Sequence, residues 1–269
     1  MDLTTVGGII LGALTIGVVM ILDGGSPAEL FAVPQAILLI VAGSISATAV
    51  TVPLEILLKV PKFMAIAAKN FHYDSAEMID LLVKMTERAR RDGLLALEDD
   101  AKKISDPFIQ KAIMLVVDGV DSAQVRSIME TNIENMAERH KLGYTFFTAA
   151  GAFAPTFGII GTVMGLIGVL KELDNPSKLA KSIAAAFLAT LWGLIMANLI
   201  YLPLGGKLKA KSEEEVAYRT MIMEGVLSMQ AGENPRILRE KLGAFLAPEG
   251  AKKEKAEAAG AGQATPQKA

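Results

Sequence analysis

Thr162 and Thr190 lie in long uncharged stretches where a hydroxyl is one of the few groups able to do chemistry. Gly151, Pro155, Gly158, Thr162 and Gly165 follow one another at intervals of four, three, four and three residues, and Ala186, Thr190, Gly193 and Ala197 repeat that pattern. Such intervals line one face of a helix. Both faces are small and weakly polar. Threonine hydroxyls can replace part of a cation's hydration, and Pro155 and Pro203, having no N–H, leave backbone carbonyls that an ion or a neighbouring helix can use. The same spacing also serves close packing. Gly161 and Gly165 form a pair of small residues four apart, and Gly158 and Gly193 add to the same faces. Periodicity by itself favours packing, and the two uses are compatible.

A second group is charged. In ERARRDGLLALEDD, Glu87, Arg88, Arg90, Arg91 and Asp92 precede Gly93, and Glu98, Asp99 and Asp100 follow it. Ordinarily this is a solvated helix face, because exposed ion pairs contribute at most about 1 kcal/mol. The sharper reading is a docking surface for a partner of alternating charge, where complementarity sets orientation and on-rate.

Other chemistry is limited by what is absent. There is no cysteine, and only His72 and His140 could serve as imidazole ligands, which argues against a metal centre or thiolate catalysis. No nucleophile, base and orienting group converge in any motif, so an enzyme is the least supported reading. The formal net charge of −2 argues against nucleic acid as a partner.

The elements that must carry these residues are membrane helices. The chain has 269 residues, of which 52% are hydrophobic and 21% charged, and its mean hydropathy is +0.40. Uncharged windows lie between Asp2 and Asp23, Glu29 and Glu55, Lys141 and Lys171, and Lys181 and Lys207. Each satisfies the roughly 20 apolar residues a spanning helix needs. The first lacks the basic start and cleavage site of a signal peptide and is read as a span. No window contains an acidic or basic side chain. A charge at the bilayer centre costs about 2.5–3.5 kcal/mol and is usually kept for ion transport, so if this protein handles ions the titrating group must come from somewhere else.

Lys59, Lys62 and Lys69 follow the second window, Arg139 and Lys141 precede the third, and Lys207, Lys209 and Lys211 follow the fourth. The positive-inside rule then places the middle segment and both termini in the cytoplasm, although Lys171, Lys178 and Lys181 fall on the outer side. Between the second and third windows the pattern is helical. Asp74 with Glu77, Asp106 with Pro107, and Asp121 are the expected helix starts, the last opening a helix that runs into the third span. Scattered methionines, Met136 among them, read as core filling. After the fourth span, KSEEEVAYRTMIMEGVLSMQ reads as a further amphipathic helix. The expected organisation is an all-α integral membrane protein. It comprises a first hairpin (1–58), a cytoplasmic helical domain (59–143), a second hairpin (144–206), C-terminal helices (207–247) and a disordered tail (248–269).

The motifs together resemble a known family. ARRDGLLALE (Ala89 to Glu98), Asp118 with Gly119, ERH (Glu138 to His140), APTFGIIGTVMGLI (Ala154 to Ile167), AFLATLWGLIMANLIYLPL (Ala186 to Leu204) and GENPRILREKL (Gly232 to Leu242) are similar to the A subunit of the bacterial flagellar stator, the MotA/PomA family, related to ExbB and TolQ. The resemblance implies a homopentamer around a dimer of a single-span B subunit whose aspartate binds the passing ion. It implies that Thr162 and Thr190 line the ion path, that Pro155 and Pro203 couple ion loading to movement, and that Arg90 and Glu98, helped by Arg88 and Arg91, contact the rotor protein FliG. His140 becomes a structural or coupling residue at the membrane boundary. The threonine pair resembles sodium-driven members, making Na+ rather than H+ the expected cation, with no cofactor. The alternative is an ExbB- or TolQ-like energiser of outer-membrane transport, but such relatives have three spans where four are read here. A purely structural scaffold would need the packing faces without the paired threonines.

Overall fold

The structure, a computed structural model, describes residues 3–70, 73–170 and 176–246. Every regular element among the described residues is helical. Helix α1 (Leu3–Leu22) leads through a turn into a 3-10 segment (Pro27–Ala32) and helix α2 (Pro34–Thr51). Val52 is extended, as the residue before a proline prefers, so α2 stops and helix α3 (Leu54–Ala68) starts beyond Pro53. The second apolar window is thus carried by α2, and α3 starts at its end. Helices α4 (Ser75–Asp92), α5 (Glu98–Lys103) and α6 (Pro107–Val117) follow. The remaining helices are α7 (Ser122–Leu170), α8 (Pro176–Ile195), α9 (Leu202–Gln230) and α10 (Pro235–Gly243), with a π-helical turn, Met196–Tyr201, joining α8 to α9.

The expected helix starts are capped. Asp74 accepts the Glu77 N–H at 2.9 Å, Asp106 that of Phe108 at 2.8 Å, and Asp121 that of Ala123 at 2.9 Å. α7 does run on from Asp121 into the third apolar window, as the sequence suggested. KSEEEVAYRTMIMEGVLSMQ differs from expectation, because it is the continuation of α9 rather than a separate helix. Gly205 and Gly206 do not break it, and Gly205 lies where a Cβ would press on Phe147 and Tyr144, so its bareness serves packing.

Residue contacts group the described residues into two units, 3–70 with 138–212, and 73–137 with 213–246. The expected boundaries after 58, 143 and 206 fall within α3, α7 and α9. The tail 248–269 lies outside the described residues.

The first unit contains the apolar stretches of four helices long and apolar enough to cross a membrane. Its interior is built from Ile40, Phe146, Phe147, Ala150, Ala154, Ala197 and Tyr201. α1 buries almost nothing within the chain, and Leu11, Leu14, Ile21 and Leu22 are exposed. An all-apolar exposed helix is a lipid-facing or subunit-facing surface. Trp192 donates from Nε1 to the Leu30 carbonyl at 2.7 Å and meets Phe31 edge-on, fixing the 3-10 segment against α8.

The second unit has its own core. Ile79 and Leu82 of α4, Ile109 and Ile113 of α6, Met129 of α7, Met221 and Ile222 of α9, and Leu238 and Leu242 of α10 are fully or almost fully buried. Methionines here fill irregular space between helices, as does Met136.

Candidate functional site

The seam between α7 and α8 begins from missing side chains. A Cβ added at Gly158 would lie 3.1 Å from the Ala189 carbonyl oxygen and 3.2 Å from Gly193 Cα. One added at Gly193 would lie 2.8 Å from the Ala154 carbonyl oxygen and 3.0 Å from Gly158 Cα. Farther along α7, a Cβ added at Gly161 would lie 2.9 Å from Ala189 Cβ, and one added at Gly165 would lie 2.9 Å from Ala186 Cβ. The two backbones therefore touch where glycine faces glycine.

That closeness brings Thr162 and Thr190 together. Their hydroxyls hydrogen-bond to each other, and Thr162 Oγ1 also lies 3.1 Å from the Gly158 carbonyl oxygen and 3.0 Å from that of Ala186. A hydroxyl has one proton to donate. When Thr190 donates to Thr162, Thr162 donates to one of the two carbonyls and leaves the other with its helical N–H alone. Four oxygens from two helices thus converge with only two hydroxyl protons among them. Such a cluster can lend lone pairs to a cation or exchange hydrogen bonds with an incoming carboxyl group.

Pro155 lies within α7, which continues unbroken through it, and its missing N–H leaves the Gly151 carbonyl without its usual helical donor. Pro203 lies at the second position of α9, directly after the π turn. A proline ring collides with the carbonyl four residues earlier, here Leu199, which belongs to that wider turn. Leu202 closes the turn by donating to the Ala197 carbonyl.

The charged residues belong to the second unit. α4 ends at Gly93, whose φ of 87° is a conformation that glycine adopts without steric cost, and a 3-10 turn, Leu94–Leu97, leads into α5. Arg88 reaches across this turn to Asp100 at 2.5 Å, tying α4 to α5. Arg91 forks onto Asp92 at 2.9 and 3.1 Å. Glu98 accepts from Lys102 at 2.6 Å, and this bond holds its carboxyl below the usual carboxylate range. Arg90 is exposed and makes no ion pair among the described residues. Leu95, 74% exposed, stands on the same turn.

The chain matches the MotA/TolQ/ExbB proton channel family over residues 100–221. It is 40% identical to motility protein A of Bacillus subtilis (strain 168) over 247 residues, 91% of each chain. It is 37% identical to the chemotaxis protein PomA of Vibrio alginolyticus, covering 91% of this chain and 96% of that one. It is a MotA family protein. Its fold also matches the flagellar MotAB stator complex from Bacillus subtilis, with a TM-score of 0.88 at 38% identity over 94% of this chain and 99% of that one.

Members of the MotA family are channel-forming torque generators rather than enzymes. In this member the structure brings Thr162, Thr190, Gly158 and Gly193 to one seam, and sets Pro155 and Pro203 on the two helices that form or continue it. Of Arg88, Arg90 and Arg91, Arg88 is engaged within the turn, and Arg90 makes no ion pair among the described residues. Sequence reasoning missed Ser44, Thr48 and Tyr201, a buried polar group, and Lys211, whose ammonium donates to the carbonyls of Ile66, Ala67 and Lys69 at the end of α3. A signal was available for the first group: Ser44 and Thr48 are four apart in an apolar window.

Proposed function

We infer that this chain is the A subunit of a flagellar-motor stator, which with a B subunit forms an ion channel and turns ion flow into torque on the rotor. The observation that carries the reading is the glycine-lined seam, which presents paired threonine hydroxyls and two backbone carbonyls on a chain whose spans hold no acidic group. A MotB-like partner supplies the missing ion-binding aspartate. The match to MotAB stator complexes supports that pairing.

Finer features follow from the family resemblance and the physics. The subunits form a homopentamer around the B dimer in the bacterial inner membrane, with both termini cytoplasmic and the lysine-rich helix ends inside. Thr162 and Thr190 line the ion path beside the partner's carboxylate. Pro155 and Pro203 couple its ion loading to movement of α7 and α9. Arg90 and Glu98, with Arg88 and Arg91 in support, engage FliG. Moving one charge through 100 mV releases about 2.3 kcal/mol, several times thermal energy and enough to drive a step between packed helices.

The transported cation is sodium in this proposal. Four converging oxygens can replace part of the hydration of Na+, whereas a proton needs no such cage. The test is swimming of cells lacking their own stator, supplied with this chain and its cognate B subunit, as external sodium varies at a fixed proton gradient. Speed that rises with sodium, and a Thr162→Ala variant with altered sodium dependence, are the expected results. Motility indifferent to sodium means protons. No rescue with both subunits in the membrane would replace the stator reading with that of a transport energiser.

A further inference from the structure

Behind the ion seam, the first unit holds a second polar contact to which neither the seam nor the charged turn assigns a role. Ser44 of α2 is fully buried, and Tyr201, the last residue of the π turn, is 6% exposed. The Tyr201 hydroxyl lies 3.3 Å from Ser44 Oγ. Ser44 Oγ also lies 3.2 Å from the Val41 carbonyl oxygen, which can only accept. Either hydroxyl can supply the proton of the bond between them, and when the serine donates to Val41 the tyrosine O–H donates to Ser44. One turn on, Thr48 donates to the Ser44 carbonyl at 2.7 Å, so the α2 backbone at this point is held as well.

The position of this bond matters more than its count. Tyr201 ends the π turn and stands two residues before Pro203. A π turn holds one residue more than the α-helix it interrupts, and reverting to α geometry would rotate everything on one side by about 100° relative to the other. The proline ring favours the wide turn by excluding the carbonyl of Leu199. The tyrosine hydroxyl, bonded to a different helix in a buried and weakly dielectric setting, fixes which way the turn faces.

We propose that the Tyr201–Ser44 hydrogen bond is the latch that holds the π turn in register, making these two positioning residues for coupling between the Thr190 segment of α8 and α9. The proposal rests on the stator reading. Loosening the latch lets the turn absorb part of a movement that otherwise passes along the helix, so ions still cross while less work emerges.

The experiment uses the full chain with its B subunit in cells lacking their own stator. Bead rotation is followed as stators join one at a time, so that step height reports torque per unit and step number reports assembly. Tyr201→Phe removes the hydroxyl and keeps the ring. It is expected to lower step height about twofold with step number and ion influx unchanged. Ser44→Ala should do the same, and the double variant should be no worse than either alone, since both remove one bond. Wild-type step height in both variants overturns the proposal. A fall in step number at unchanged height, or failure of both variants to reach the membrane, also overturns it by assigning the bond to folding alone. Failure of the unaltered chain to restore rotation removes the stator reading itself and is seen before any variant is compared.

Discussion

Gly193 and Gly168 are alike in the sequence and opposite in the structure. A methyl group at Gly193 would meet the α7 backbone at 2.8 Å, with no flexible side chain to yield, whereas at Gly168 nothing lies within 4 Å. Gly193→Ala is therefore expected to destabilise the purified complex by about 1–3 kcal/mol, the cost of overpacking a tight contact. Gly168→Ala should be neutral or stabilise by roughly 0.5–1 kcal/mol through helix propensity. Thermal unfolding in detergent compares the two. The close approach was legible as a spacing of small residues, which also put Thr162 and Thr190 on the small faces of their helices. How closely those glycines approach was not legible, because that depends on how α7 and α8 are rotated against each other. The Ser44–Tyr201 pair lay further out of reach, its partners being 157 positions apart with no periodicity to join them.

Among the elements, the turn from α4 to α5 separates charges that look equivalent in the sequence. Arg88 closes the turn through Asp100, while Arg90 projects. Arg90→Ala should leave unfolding unchanged and slow association with a purified rotor fragment, most visibly at low salt, where complementary charge sets the on-rate. Arg88→Ala should instead loosen the turn, seen as faster hydrogen exchange at Leu94–Leu97. The Glu98 carboxyl titrates below its ordinary range because Lys102 donates to it. With the folded pKa depressed, the contribution of this pair is complete above the ordinary carboxylate range and is lost as pH falls through the lowered value. Lys102→Met should bring the Glu98 titration back up toward that range, as read from its side-chain carboxyl resonance. Helix starts were legible from Asp74, Asp106 and Asp121 because capping is local chemistry. The join at Met196–Tyr201 was not, since a π turn has no residue signature of its own.

For the whole molecule, the absence of cysteine is a practical gift, because any thiol introduced is the only one in the chain. If the lysines mark the cytoplasmic side, a Gly24→Cys variant should react with a membrane-impermeant maleimide added to intact cells. A Ser122→Cys variant should react only after the membrane is opened. The reverse pattern would invert the topology inferred from the lysines. The number of spans was readable from where charge is excluded. The grouping of 138–212 with 3–70 was not, because helices longer than a bilayer carry no mark of where one packed unit ends and the next begins.

One consequence of the threonine pair concerns electrical response rather than binding. Two hydroxyl protons shared among four oxygens can be arranged in more than one way without moving a heavy atom. Turning both O–H bonds together reverses a local dipole inside a setting that otherwise has little ability to screen charge. The seam is then a polarisable spot in a nonpolar wall. Whether a neighbouring carboxyl group is ionised or neutral, the spot can reorient to face it within the time of a bond rotation.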